Sequence, residues 1–208
     1  MHTYLIFGIT YAFAASIQPG PLQTFLISQT LKNGWKRTLP AALAPVLSDI
    51  PIIIIVLLIL TSIPSGFLNF LQIGGGILLL YLAYSSFKSF LMFEELDTGK
   101  LKNDNTLFKA VLVNILNPNP YLGWSLIMGP LLIKGYNQAA INGITLVGGF
   151  YFTLVLCQAG IIVLFGLARN LGSKVTRITL GIASVALAVF GIYLLLQGFT
   201  SADLLALV

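Results

Sequence analysis

The stretch Gln18-Pro19-Gly20-Pro21 interrupts the first apolar run of the chain, where a membrane helix would otherwise be continuous. Each proline removes a backbone hydrogen-bond donor and clashes with the preceding turn, so we expect the helix to break at Pro19-Gly20-Pro21. A second interruption, Asn117-Pro118-Asn119-Pro120, lies inside a later apolar run. Two such breaks predict two places where the backbone cannot satisfy its own hydrogen bonds.

The composition around these breaks is that of a membrane protein. Of the 208 residues, 57% are hydrophobic and only 8% are charged, whereas soluble domains carry about a quarter charged residues. The formal net charge of +5 is spread over the segments between apolar runs and forms no basic stripe, so we expect no nucleic-acid partner. The expected partners are the lipid bilayer and a small solute.

Apolar runs long enough to cross a bilayer recur along the whole chain. We place six spans, at about residues 3–31, 38–62, 67–90, 107–133, 138–167 and 178–199. No basic region precedes the first run, so we expect the first span to be retained and not cleaved as a signal peptide. The predicted fold class is an all-α, polytopic membrane protein in which spans 1 and 4 are broken at Pro-x-Pro.

The six spans divide into two halves of three. Residues 1–90 form the first repeat, residues 91–106 a cytoplasmic loop, and residues 107–208 the second repeat. Because three is odd, the second half crosses the membrane in the opposite sense, and Pro19-Gly20-Pro21 aligns with Pro118-Asn119-Pro120. An inverted repeat of this kind predicts alternating access to one site between the two halves.

The lysines and arginines predict the orientation. Ten of them lie in or beside the connections after spans 1, 3 and 5, and only Lys134 lies on the other side. Cytoplasmic loops carry the positive excess. We therefore expect a multi-pass protein of the plasma (bacterial inner) membrane with both termini outside the cytoplasm.

Both breaks predict polar backbone at membrane depth. Such backbone persists only where it is buried in protein or lines a polar cavity. We expect the helices that restart after Pro21 and after Pro120 to present free N–H groups and positive dipole ends, which suit a carboxylate. The simpler alternative is that the prolines only kink the helices and aid packing, as lone prolines often do.

Asp49 is the one charged side chain that the sequence places in the interior of a span, away from its ends, near the middle of span 2. A charge at this depth costs about 3 kcal/mol on insertion scales, so intramembrane acids are functional by default. Asp49 is a candidate to accept a substrate amino group, to coordinate a cation, or to carry the coupling proton. The alternatives are a protonated carboxyl that bonds to nearby backbone, or a position nearer the membrane surface.

Polar side chains beside the breaks are further candidates for the pocket. Gln18 and Asn117 directly precede the two breaks and are expected to cap the freed backbone. Each such side chain is more often an interhelical contact than a ligand contact. The residues that we predict to bind substrate are Gln18, Pro19, Gly20, Pro21, Gln23, Asp49, Asn114, Asn117, Pro118, Asn119 and Pro120, and Gln158 in span 5 is a weaker candidate.

Catalytic, metal and redox chemistry find little support in the sequence. His2 is the only histidine and Cys157 the only cysteine, so no CxxC pair, intramolecular disulfide or histidine-based site is expected. An enzyme would need a nucleophile with a base or a metal cluster. We predict a non-enzyme without a catalytic residue, metal site or cofactor.

The chain also resembles a known family. Ser16-Ile17-Gln18-Pro19-Gly20-Pro21 followed by Asp49, together with Asn114-Ile115-Leu116-Asn117-Pro118, resembles the lysine exporter (LysE-type) superfamily, including its homoserine/threonine exporter branch. The resemblance implies an efflux transporter of amino acids or related small solutes, driven by the proton motive force. It also implies that Pro19, Gly20, Pro21, Asp49, Asn117 and Pro118 belong to the transport site.

The resemblance leaves the substrate open. Many members continue Leu-Asn-Pro with Lys-Ala, whereas this chain continues with Asn119-Pro120. The leading hypothesis is an amino-acid exporter, with the helix ends on the carboxylate and Asp49 on the amino group or the coupling proton. The alternatives are a hard-cation or divalent-metal exporter and, less favoured, a membrane enzyme or a purely structural membrane protein. A six-span bundle is small, so a homodimer is also an expectation.

Overall fold

The computed structural model describes residues 1–18, 20–58, 65–91, 105–169 and 173–206. Within these ranges every regular element is helical, which confirms the all-α class. The α-helices are α1 (His2–Ile17), α2 (Pro21–Asn33), α3 (Trp35–Thr38), α4 (Ala44–Leu58), α5 (Ser65–Leu91), α6 (Thr106–Ile115), α7 (Pro118–Gly123), α8 (Gly129–Gln138), α9 (Ala140–Arg169) and α10 (Ser173–Ala206). A 3-10 turn (Leu39–Leu43) joins α3 to α4, and a π-helical turn (Trp124–Met128) joins α7 to α8.

Several of these elements are long and apolar enough to cross a bilayer. Among the described residues, four continuous stretches qualify, namely Trp35–Val56, Asn69–Lys88, Ala140–Leu167 and Arg177–Thr200. Helices α1 and α2 meet at 63°, and the pair adds a fifth stretch if it is counted as one bent span. The prediction of a multi-pass membrane protein is thus supported, whereas the count of six spans stays a prediction.

The first interruption separates α1 from α2. Helix α1 ends at Ile17, and α2 begins at Pro21 after Gly20, whose backbone is fully extended (φ −159°, ψ 176°). Pro21 occupies the first helical position, where a missing N–H costs no intrahelical hydrogen bond. Pro19 lies outside the described residues.

The helix that follows the second interruption begins earlier than expected. Helix α6 ends at Ile115 and α7 already begins at Pro118, so Pro120 lies within the first turn of α7. The expectation that this helix restarts after Pro120 is therefore wrong. The physical reason is that the first turn of a helix needs no N–H groups for its own hydrogen bonds and accepts proline.

The region predicted as span 4 is consequently a series of short helical pieces. Helix α6 spans only ten residues, and the chain then continues through α7, the π-helical turn and α8 to Gln138. The loop predicted at residues 91–106 falls mostly on residues outside the described ranges. The division into two inverted halves remains a prediction.

Two clusters of buried apolar residues hold the helices together. One cluster centres on Phe25 and Leu26 of α2 with Leu79 of α5, and it reaches α6, α9 and α10. The other joins Ala12 of α1 with the 124–128 turn and with Leu146 of α9. Many large apolar side chains of the described residues are exposed on the outside, which suits contact with lipid.

Helix α1 packs very closely against α9. An added Cβ at Gly8 would overlap the carbonyl oxygen of Leu146 and lie 3.0 Å from the backbone nitrogen of Phe150. Small residues at membrane helix contacts allow backbones to approach in this way. The contact matters for function because α1 and α9 both contribute walls to the cavity described next.

Candidate functional site

Asp49 lies deep inside the bundle with only 3% of its surface exposed. Its Oδ1 accepts a hydrogen bond from Asn114 Nδ2 at 3.1 Å. Its Oδ2 accepts two more, from Trp124 Nε1 at 3.2 Å and from the Tyr151 hydroxyl at 3.1 Å. All three donors are uncharged, so they fix the carboxylate in place without neutralising it. A carboxylate held in this way can still pair with a cationic group or take up a proton.

The donors come from elements far apart in the sequence. Asp49 is on α4, Asn114 on α6, Trp124 in the π-helical turn and Tyr151 on α9. Asn114 is itself held, because its Nδ2 also donates to Ser48 Oγ at 2.7 Å. The hydroxyl of Ser48 donates to the carbonyl of Ala44 at 2.8 Å. Asp49 is therefore the centre of a network that ties four elements together.

A cavity of about 160 Å³ opens beside this network. For comparison, an engineered apolar cavity of about 150 Å³ accommodates benzene, so the space suits a small organic solute. The residues that line it are Tyr11, Ala15, Gln18, Gly20, Leu22, Gln23, Pro45, Asp49, Asn114, Asn117, Asn119, Pro120, Gly123, Trp124, Met128, Phe150, Leu154 and Gln158.

Most of the residues predicted from the sequence meet at this cavity. Its walls include Gln18, Gly20, Gln23, Asp49, Asn114, Asn117, Asn119 and Pro120. Pro21 and Pro118 do not line it; each is buried as the first residue of its helix. Pro19 is outside the described residues. The two interruptions, at residues 18–21 and 117–120, and the buried acid at residue 49 thus surround one space.

The first break turns the start of α2 toward the cavity. Gly20, Leu22 and Gln23 all contribute to its wall. The first turn of a helix leaves backbone N–H groups without intrahelical partners, and the helix dipole is positive there. Gln23 Nε2 donates to the carbonyl of Ala15 at 3.3 Å, so this side chain links the two helices across the break.

The second break does not offer an equivalent set of donors. The side-chain oxygen of Asn117 accepts the N–H of Asn119 at 3.1 Å, which confirms Asn117 as the cap of α7. Pro118 and Pro120, which flank Asn119, have no N–H. The expectation of two matching anion-binding helix ends is therefore corrected. Only the start of α2 has the right backbone chemistry.

The residues predicted from the sequence to bind substrate do not include the aromatic side chains of the site. Tyr11, Trp124 and Phe150 line the cavity, and Tyr151 bonds to Asp49 behind it. The rings form one group: Tyr11 stacks on Phe150 at 5.9 Å, and Trp124 meets the edge of Phe150 at 6.1 Å between centroids. A usable signal was present, because a buried Trp or Tyr usually needs a partner for its polar end.

Comparison with known proteins agrees with this architecture. The family model described as LysE type translocator matches residues 13–198 of the chain. No curated protein and no solved structure gave a significant match. The matched region contains both helix breaks, Asp49 with its three donors, and all but one of the residues around the cavity. The chain belongs to the LysE type translocator family and is a membrane efflux transporter.

Proposed function

We propose that the chain exports amino acids or related small zwitterionic solutes by secondary-active transport. The single observation that carries this proposal is Asp49, a buried carboxylate held by three uncharged donors beside a cavity of solute size. An uncompensated carboxylate attracts a positively charged group. The ammonium group of an amino acid is such a group.

The opposite charge of the solute has a complementary partner in the same cavity. Leu22 and Gln23, at the start of α2, contribute to the wall. The first turn of a helix leaves backbone N–H groups without intrahelical partners. Helix N-termini bind carboxylates well because the donors and the dipole act together. Apolar side chains, including Met128, Phe150 and Leu154, complete the wall. A zwitterion with a short side chain fits this distribution of charge.

The same carboxylate is a suitable carrier for the coupling proton. We propose that Asp49 alternately pairs with the solute ammonium and takes up a proton from outside the cell. Protonation removes the charge that holds the ammonium, so it favours release of the solute. Intramembrane acids serve as proton relays in many transporters. The two inverted halves would expose this one site first to the cytoplasm and then to the outside.

The other candidate substrate is a hard cation such as a divalent metal. Such ions need several oxygen ligands. Among the described residues that line the cavity, Asp49 is the only carboxylate, and its oxygens already accept three hydrogen bonds. In the part of the chain that the structure describes, no group of three His, Cys, Asp or Glu side chains is placed to hold a metal ion. These observations favour a zwitterion over a hard cation as the exported solute.

The proposal is tested by efflux from proteoliposomes preloaded with an equimolar amino-acid mixture, with an acidic exterior. We expect gradient-dependent loss of one class of amino acid from these vesicles and none from protein-free vesicles. If folded protein releases no amino acid, the proposal is wrong. Release of divalent metal ions from otherwise identical vesicles would then establish the cation exporter.

A further inference from the structure

Two side-chain oxygens in the described ranges are buried without a hydrogen-bond partner, and one of them belongs to a residue that lines the cavity. They are Oε1 of Gln72 and Oε1 of Gln158. Gln72 is on α5, where its amide nitrogen donates to Gln197 at 3.3 Å, and it does not line the cavity. Gln158 is on α9, is 1% exposed, and does line the cavity. Buried acceptors are nearly always paired, so an unpaired one in a cavity wall needs an explanation.

The position of Gln158 relative to Asp49 is set by helix α9. Tyr151, which donates to Asp49, precedes Gln158 by seven residues, which is two turns or about 10 Å along a helix. Both residues therefore lie on the same face of α9, and Leu154 lies between them in the cavity wall. The wall thus includes Asp49, to which Tyr151 donates, the apolar Leu154, and Gln158 two helical turns after Tyr151.

The chemistry of an amide oxygen defines what can bind there. It accepts a hydrogen bond, so its partner must be a hydroxyl, an amide N–H or an ammonium group. A methyl group would leave the oxygen unpaired, and a carboxylate would place a second acceptor against it. A site built to bond a hydroxyl or N–H strongly disfavours analogues that lack it, because its own polar group is left without a partner.

We propose that Gln158 is a specificity-determining residue whose Oε1 accepts a hydrogen bond from the end of the solute remote from Asp49. This inference rests on the proposed function, since it assigns the second end of the same solute site. The preferred solutes are zwitterions whose side chain ends in a hydrogen-bond donor. Solutes of the same size that end in a methyl group or a carboxylate are disfavoured.

Two amino acids of matched size test this directly. 5-Hydroxynorvaline and norleucine differ only in a terminal hydroxyl against a methyl group, and both are loaded into the same proteoliposomes. We expect wild type to export 5-hydroxynorvaline about tenfold or more faster than norleucine. Gln158→Met keeps the length of the side chain and removes the acceptor. The rate of 5-hydroxynorvaline export divided by that of norleucine should therefore fall to a value between about 1 and 3.

Gln72→Met is the matched control, because it makes the same change at the other unpaired oxygen, away from the cavity. Its ratio should equal that of wild type. If Gln158→Met does not fold, Gln158→Glu keeps the acceptor, adds a negative charge, and should shift preference from 5-hydroxynorvaline toward ornithine.

The possible results separate the two proposals. The role of Gln158 is overturned if Gln158→Met has the same ratio of export rates as wild type. It is also overturned if Gln158→Glu has the same solute preference as wild type. In both cases the proposal of amino-acid export stands. A wild-type preference for norleucine over 5-hydroxynorvaline likewise overturns the role of Gln158. Absence of amino-acid efflux from folded wild type overturns the proposed function itself.

Discussion

Asp49→Asn is expected to lower solute efflux by about a hundredfold, because truncating one partner of a buried charge pair costs roughly 2–5 kcal/mol. Asparagine has nearly the same shape, so its Oδ1 can still accept from Trp124 and Tyr151. Its amide nitrogen then faces Asn114 Nδ2, so this one hydrogen bond is lost, whereas Asn114 keeps its bond to Ser48. The fold should therefore survive while the charge that attracts the ammonium is lost. Initial efflux rates from proteoliposomes measure this effect.

Asp203→Asn is the matched control, since it makes the same chemical change near the end of α10. It should export at the wild-type rate. The account would be contradicted by an Asp49→Asn variant that is folded and exports as fast as wild type.

Solute exchange without a gradient separates the two roles proposed for Asp49. If Asp49 binds the ammonium, Asp49→Asn should lose exchange as well as gradient-driven efflux. Retained exchange with a lost response to the gradient would limit Asp49 to proton coupling.

Gly8→Leu is expected to destabilise the protein by more than about 3 kcal/mol, beyond the usual 1–3 kcal/mol for overpacking a core. Even one Cβ at Gly8 would overlap the carbonyl of Leu146, and that carbonyl is backbone and cannot rotate away. Helices α1 and α9 would have to separate, which would also move Tyr11 and Phe150 in the cavity wall. The yield of monodisperse protein and the melting temperature in detergent both report this change.

Gly148→Leu supplies the comparison on α9 itself. Gly148 is exposed, and an added Cβ there would meet nothing within 4 Å. A leucine at this position should fold as well as wild type, since it faces lipid. Equal melting temperatures for Gly8→Leu and wild type would show that the close contact between α1 and α9 is not required.

Features governed by local chemistry could be predicted from the sequence. Proline lacks an N–H wherever it occurs, so both interruptions were expected, and an acid inside an apolar span stands out in any fold. The predicted restart of the second helix, after Pro120, lies three residues beyond its start at Pro118, which the preference of proline for the first helical position would have indicated.

The partners of Asp49 were much harder to predict, because they depend on packing between distant elements. Trp124 and Tyr151 are 75 and 102 residues from Asp49 along the chain. The general need of a buried Trp or Tyr for a hydrogen-bond partner makes them candidates, but the sequence does not identify Asp49 as that partner. Likewise, Gln158 was one of several polar residues in apolar spans, and only the structure brings it to the cavity with an unpaired oxygen.

The central claim is that the exported solute binds in the cavity beside Asp49, and protection of a cysteine placed there tests it most directly. Cys157 is the only cysteine, so Cys157→Ala gives a background without thiols. Into it we would place Ala15→Cys in the cavity wall, or Ala139→Cys at the exposed junction of α8 and α9 as the control. Labelling by a maleimide is then followed with and without solute.

We predict that solute at ten times its Kd slows labelling of the Ala15→Cys variant about tenfold, since roughly one site in eleven is then free. Labelling of the Ala139→Cys variant should not change, and Asp49→Asn should abolish the protection. Active transport by the Ala15→Cys variant with no protection at any solute concentration would contradict the account.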